Sequence, residues 1–282
     1  MKNSIKTALL LGLLSGLLLF GGQLIGGRNG LLMGLGLAVV MNFAGYFFSD
    51  KLALSSYSAQ PVTPQDNPRV YARVYPLVQN LTQRMGVPMP KLWLIPDPSP
   101  NAFATGRNPE HASVAFTEGI LGLMNDRELE GVVAHELGHV LHRDILISSV
   151  AATLAAAITF LAHMAFFFGG RRDDEEEGGG WGGILMIFLA PIAAGLIQMA
   201  ISRSREFSAD EASAKYTGSP DGLINALRKL ERGAEVIPMQ ANQATAHMFI
   251  VNPFKGTMWA STHPSTEQRI ARLEALRYAP VG

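Results

Sequence analysis

Cysteine is absent from this sequence of 282 residues. Its absence excludes disulfides, thiolate metal ligands and a cysteine nucleophile, so any metal ion must be bound through His, Asp or Glu. Charged residues are also scarce, at 16% against 48% hydrophobic residues, whereas soluble domains have roughly 25% charged residues. The 23 basic and 23 acidic side chains cancel, and without a basic excess we expect no binding to nucleic acid.

Charge is missing altogether from four long apolar segments. Each is long enough to form a helix across the roughly 30 Å hydrocarbon layer of a membrane, so the sequence predicts four transmembrane helices. A turn-like stretch at residues 28–30 is all that separates the first two, which we expect to form a helical hairpin. The segments are, approximately, residues 7–27, 31–48, 145–168 and 184–201.

The first apolar segment could also be a cleaved signal peptide, because Lys2 and Lys6 precede it. Its apolar run exceeds the roughly 7–15 residues of a signal core and no A-x-A-like site follows, so we expect it to be retained. Lys51 lies on the same side of the hairpin as the two N-terminal lysines, and the turn has only Arg28. This distribution predicts that both termini are cytoplasmic and that the acidic, glycine-rich loop at 169–183 lies on the opposite side.

The polar remainder of the chain consists of two pieces that we expect to pack into one cytoplasmic domain. A helix over residues 69–85, interrupted or kinked at Pro76, precedes short strands at 91–95 and 112–116. Further helices begin at Asn125, at Ser219 and at Ser265. The fold class is thus mainly α, with four transmembrane helices and an α+β domain that holds a small β-sheet. The expected parts are a hairpin at 1–48, the first part of the domain at 49–144, a second hairpin at 145–201 and the second part of the domain at 202–282.

The motif HExxH occurs at residues 135–139, on a predicted helix. A step of four residues places His135 and His139 on one face, where both imidazoles can bind one metal ion. Glu136 then lies beside the metal-bound water. In such sites zinc lowers the pKa of that water to about 7, and the glutamate takes its proton during attack on a carbonyl group.

A catalytic zinc site needs a third protein ligand, which in the thermolysin kind is a Glu on a separate helix. Glu206 and Asp210 are four residues apart and face the same way, so one could bind zinc while the other holds the free nitrogen of a ligand histidine. A solvated surface charge is the alternative for Asp210. Glu211 points about 100° away from Asp210 and is a weaker choice.

The other histidines are poorer ligands. His142 lies one turn beyond His139, but three histidines on one straight helix cannot surround one ion without strain, and Ile145 stands where a metzincin would have its third histidine. His163 lies inside the third predicted span, where an ionisable residue is a functional candidate unless it faces a polar gap. His111 and His247 have no supporting spacing.

Four stretches resemble the HtpX family of membrane metalloproteases, which are relatives of the CaaX prenyl proteases. They are HELGHVLHRD, SREFSADEASAKY, PNAFATGRNPEHASVAFTEGIL and THPSTEQRIARL, and the resemblance covers nearly the whole chain. It implies a zincin-like domain with one Zn²⁺ per chain. By that resemblance the ligands are His135, His139 and Glu206, the catalytic base is Glu136, and Asp210 supports a ligand.

The same resemblance brings His263 near the metal, where it could stabilise the oxyanion of the substrate carbonyl as a catalytic residue. Arg269 could support His263, although a solvated charge is the alternative. The strand at 112–116 could be a sheet edge that takes an extended substrate as an added strand, or else an ordinary core strand.

The family implies hydrolysis of membrane or misfolded proteins in quality control and stress response at the bacterial inner membrane. Its partners would be the lipid bilayer and those substrates. The alternative function is a membrane-anchored binding or scaffold protein with a structural metal site. Structural zinc normally has four protein ligands, and this sequence offers three good ones plus a Glu placed as a base.

Overall fold

The computed structural model describes residues 2–151, 203–237, 248–250 and 264–277 of the chain. Most of the third predicted span, the whole of the fourth and the loop at 169–183 lie outside these residues. The same is true of His163, His247 and His263. The elements in chain order are α1 (Lys2–Phe47), α2 (Ser49–Ser56), β1 (Gln60–Pro61), α3 (Pro68–Met85), β2 (Lys91–Ile95), β3 (Ala102–Gly106), a 3₁₀ turn (Pro109–His111), β4 (Ala112–Thr117), α4 (Glu118–Leu123), α5 (Asp126–Leu141), α6 (from residue 145, described as far as 151), α7 (Arg203–Thr217), α8 (Asp221–Val236) and α9 (Thr266–Leu276).

The N-terminal helix α1 is folded back on itself. The side-chain amide of Asn42 donates a hydrogen bond of 2.8 Å to the hydroxyl of Ser15, although 27 residues of straight helix would extend for about 40 Å. The chain reverses at Gly27, whose φ is 55°. Both halves are helical and contact each other, as the sequence predicted for a helical hairpin. The turn between them is short.

One helix within the described residues is long and apolar enough to cross a membrane. It is Gly27–Phe47, the second half of the hairpin, and a shorter apolar helix, Ile5–Phe20, precedes it. Membrane crossing by the remaining predicted spans stays a prediction.

A mixed sheet of four strands lies next to the helices, in the order β1-β2-β4-β3. The predicted strands β2 and β4 are confirmed and run parallel to each other. β3 pairs antiparallel with β4, and because its sequence is rich in Ala and Gly it lacked a strand signal. The expectation that β4 forms a sheet edge is wrong: β4 has a neighbour on each side, and β3 is the edge strand nearer to α5.

The helix α5 forms the centre of the domain and begins where the sequence predicted. Asn125 and Glu128 form a reciprocal capping box, which satisfies two backbone donors at the start of the helix. Its apolar residues are buried, and a Cβ atom on Gly131 would lie 2.5 Å from the backbone nitrogen of Leu223. The absence of a side chain at Gly131 therefore allows α8 to pack directly against α5.

The remaining predicted helices are confirmed with shifted ends. α3 continues through Pro76 without interruption. α8, predicted to begin at Ser219, extends from Asp221 to Val236. Ser265 caps α9 through a capping box with Gln268, and α9 packs against α7 and α8.

Candidate metal centre

Two helices bring together three side chains of the types that can bind a metal ion. His135 and His139 project from one face of α5, and Glu206 projects towards them from α7. The Nε2 atom of each histidine lies 3.6 Å from a carboxylate oxygen of Glu206. One donor atom from each residue lies within 4.8 Å of the others, so a single metal ion could be bound by all three.

The Nδ1 atom of His135 faces a second carboxylate, that of Asp210, at 2.9 Å. The sequence left open which of the two acidic residues could bind a metal ion and which could hold a histidine. In the structure, Glu206 faces the space between the Nε2 atoms of the two histidines, and Asp210 faces the opposite side of the His135 imidazole. A hydrogen bond of this kind holds the tautomer and orientation of a histidine ligand.

A buried arginine holds Asp210 in place. Arg269, on α9, contacts the two carboxylate oxygens of Asp210 at 2.7 and 3.0 Å. Arg269 also donates a hydrogen bond of 2.8 Å to the carbonyl oxygen of Ile250, and its Nη2 lies 3.3 Å from the Nδ1 of His135. The sequence had paired Arg269 with His263, which lies outside the described residues; the contact with Asp210 was not foreseen.

Glu136 is buried beside the histidines. One of its carboxylate oxygens, Oε1, has no hydrogen-bond partner within the described part of the chain, and burial raises the pKa of this side chain to about 7. A buried acceptor without a partner is costly unless another group occupies the space beside it. Two imidazoles, a carboxylate and this free oxygen fit a metal ion that carries a water molecule.

The two imidazoles differ in their electrostatic environment. Burial, together with the positive charge of Arg269, lowers the pKa of His135. Burial acts in the same direction on His139, but the carboxylates of Glu206, Asp144 and Glu136 outweigh it and raise its pKa to about 9. Arg269 lowers the pKa of Asp210 in spite of burial. Before a metal binds, His135 is therefore neutral and His139 carries a proton at pH 7.

Asp144 is a buried carboxylate at the site that sequence analysis missed. Its Oδ2 lies 3.4 Å from the Nδ1 of His139. The spacing gave no signal, because on a continuous helix a residue five positions after His139 points about 140° away from it.

The residues that the sequence set aside lie elsewhere. His142 is exposed at the C-terminal end of α5. His111 is exposed and contacts Asn108. Glu211 forms a surface ion pair with Arg272.

Comparison with known proteins supports the interpretation of the site. Residues 65–277 match the sequence profile of peptidase family M48. A protease HtpX homolog of Desulfatibacillum aliphaticivorans is 52% identical over 98% of this chain and 91% of its own length. A second, from Sulfurihydrogenibium sp., is 50% identical over 98% of this chain and 97% of its own length.

A solved structure shares the fold at low sequence identity. The crystal structure of S. mikatae Ste24p superposes with a TM-score of 0.51 at 17% identity and covers 97% of this chain. The chain spans 66% of the length of that protein. From the family match and the full-length relatives, the chain belongs to peptidase family M48 and is a metallopeptidase.

Proposed function

We propose that the protein is a zinc-dependent endopeptidase of the bacterial inner membrane that hydrolyses membrane or misfolded proteins in quality control and stress response. The observation that carries this proposal is the cluster of His135, His139 and Glu206 within 4.8 Å of one another, next to the free oxygen of Glu136. Nitrogen and carboxylate donors suit zinc, and three protein ligands leave a fourth position open. A purely structural zinc would use all four, which argues against the scaffold alternative.

In the proposed mechanism, His135, His139 and Glu206 would hold a zinc ion, which would supply Lewis-acid activation of water and of the substrate carbonyl. Glu136, buried beside the two histidines, would accept the proton of the attacking water as the general base. Asp210 holds His135 by its Nδ1 atom, and Arg269 keeps Asp210 charged. We assign His263 to the oxyanion on the resemblance alone.

We further propose that the edge strand β3 receives the substrate. Its neighbour on one side is β4, and on the other side the backbone N–H of Ala104 donates a hydrogen bond to the side-chain carboxylate of Glu136. An extended peptide that pairs with a sheet edge is recognised through its backbone, which tolerates many sequences. The carbonyl oxygen of Ala102 already accepts a hydrogen bond from the N–H of Ile250, and the N–H of Gly106 donates to the hydroxyl of Ser149, so the proposed binding region is the middle of β3, around Ala104.

For the membrane, we propose four spans with the catalytic domain on the cytoplasmic side. In support, exposed aromatic side chains are concentrated at the end of the hairpin, beside Lys51, as is typical of a membrane interface. α6 begins at residue 145, four residues after α5 ends, so the metal centre lies close to the start of the third predicted span. The aromatic residues are Phe43, Tyr46, Phe47 and Phe48.

The test is a time course of cleavage of a membrane-protein substrate by purified, zinc-loaded protein. Glu136→Gln keeps the size of the side chain and removes the proton acceptor, so we expect normal zinc content and a rate lower by about 10²–10⁴. Glu211→Gln, on the exposed surface, is the matched control and should cleave at the wild-type rate. Activity of Glu136→Gln within tenfold of wild type would overturn the assignment of the base, and an inactive wild type would favour the scaffold alternative.

A further inference from the structure

We propose that Asp144 is a positioning residue of the metal centre, which holds the imidazole of His139 so that Nε2 faces the metal ion. The inference rests on the proposed metal site but does not depend on peptide hydrolysis. Asp144 is not one of the three proposed ligands. Its proposed role is to hold the second ligand histidine, His139, as Asp210 holds His135.

The imidazole of His139 lies between two carboxylates. Its Nε2 is 3.6 Å from Glu206, and its Nδ1 is 3.4 Å from Asp144. Because only one nitrogen can bind the metal ion, the other is left with an N–H to donate. A nearby carboxylate that accepts this N–H fixes the ring orientation and makes the metal-binding nitrogen more basic.

The turn that ends α5 brings Asp144 to this position. Arg143 adopts a left-handed conformation with φ 58°. The N–H of Asp144 donates to the carbonyl oxygen of His139 at 2.8 Å, and that of Arg143 donates to Val140 at 3.1 Å. These two bonds form a Schellman motif. The chain therefore folds back beneath the last turn of α5, and the Asp144 side chain reaches the very histidine whose carbonyl its backbone binds.

Asp144 also has a positively charged neighbour. The guanidinium of Arg205 lies 3.9 Å from its Oδ1, and Arg205 precedes the ligand Glu206 in α7. Asp144 itself is 3% exposed, and burial of a charged group is costly unless it is paired. The contact also ties the turn after α5 to the helix that carries the third ligand.

Each of the two ligand histidines therefore has a carboxylate at its Nδ1 atom, and each carboxylate has an arginine next to it. Asp210, backed by Arg269, contacts His135 at 2.9 Å, and Asp144 contacts His139 at 3.4 Å. The support of His139 is the longer one, and 17% of the His139 side chain is exposed against 1% for His135. His139 is thus the less constrained ligand, and loss of Asp144 should affect its orientation directly.

The experiment measures the zinc affinity of the purified full-length protein by competition with a chromophoric chelator. Asp144→Ala should bind zinc about 10- to 100-fold more weakly than wild type. Asp144→Asn keeps an acceptor oxygen in place and should lose less. The absorption spectrum of the cobalt(II)-substituted protein, which reports ligand geometry, should change in Asp144→Ala and stay close to wild type in Asp144→Asn.

Asp221→Ala is the matched control, since it removes an exposed partner of Arg277 away from the site and should leave zinc affinity unchanged. Melting of the metal-free proteins separates positioning from a merely structural role. An Asp144→Ala protein that melts earlier but binds zinc with wild-type affinity and spectrum when folded would overturn the inference. Wild-type protein that binds no zinc would overturn the proposed function and this inference together, whereas unaltered affinity in Asp144→Ala would overturn this inference alone.

Discussion

A Cβ atom added to Gly138 would lie 3.0 Å from the Cα of Ala209. The backbones of α5 and α7 therefore touch at the glycine of the HELGH motif, between the two histidines and the helix that carries Glu206. This close approach allows the carboxylate of Glu206 to face the Nε2 atoms of both His135 and His139. The glycine is required by packing between helices, since its own backbone conformation is helical.

The contact predicts that Gly138→Ala will weaken the metal centre. The new methyl group must push α7 away by a few tenths of an ångström, with an overpacking cost of about 1–3 kcal/mol in unfolding free energy. Zinc affinity should fall as Glu206 moves away. Gly122→Ala is the control, because nothing lies within 4 Å of a Cβ at that position. Equal melting temperatures and zinc affinities for the two variants would contradict the prediction.

Glu206→Ala should lose stoichiometric zinc, which metal analysis of the purified protein would measure. Among the described residues, Glu206 is the carboxylate that faces both Nε2 atoms, so its removal should take away a ligand. Asp210→Ala should retain zinc with an affinity reduced by about 10- to 100-fold, as expected for loss of a support. If Glu206→Ala kept its zinc while Asp210→Ala lost it, the ligand and its support would be reversed.

Arg269→Ala should destabilise the protein strongly. It leaves the buried carboxylate of Asp210 without its partner, which costs about 3–5 kcal/mol in unfolding free energy. Arg272→Ala removes an arginine of the same helix whose pair with Glu211 is about half exposed, and should cost about 1 kcal/mol or less. Denaturant unfolding of the two variants measures the difference. Similar values would mean that the Asp210 contact contributes no more than a surface pair.

Metal binding should release a proton at neutral pH. Below its pKa of about 9, His139 holds a proton in the metal-free protein, and histidine binds a metal only after it has lost that proton. Apparent zinc affinity should therefore rise about tenfold per pH unit from pH 7 to 9 and level off above. Calorimetry in two buffers of different ionisation enthalpy counts the proton. Affinity that stays constant over this range would show that His139 is already neutral.

Single cysteines test the topology, since the native chain has none. Cysteines at positions 179 and 219 are expected on opposite sides of the membrane, because the first lies in the acidic loop and the second in the catalytic domain. In intact spheroplasts, a membrane-impermeant maleimide should label only Gly179→Cys. Labelling confined to Ser219→Cys would mean that the orientation is inverted, and lysed cells provide the control for reactivity at both positions.

The sequence by itself determined the local features of this protein. The capping box at Asn125 and Glu128 and the one-turn spacing of His135 and His139 depend on neighbours a few residues apart. The helices α3, α5, α8 and α9, the strands β2 and β4 and the histidine-bearing face of α5 could therefore be predicted without knowledge of the packing. The family resemblance likewise depended on short contiguous motifs.

The tertiary structure alone decided which groups meet across long separations. By their spacing, Glu206 and Asp210 were equivalent candidates for the third ligand. The packing of α7 against α5 places Glu206 next to both Nε2 atoms and Asp210 next to the Nδ1 atom of His135. Only the sheet order shows that β3 and not β4 is the edge strand, since strand pairing is set by contacts between distant residues. Asp144 reaches His139 because a left-handed residue reverses the chain after α5, and no helical spacing predicts a turn that brings the fifth residue back to the same face.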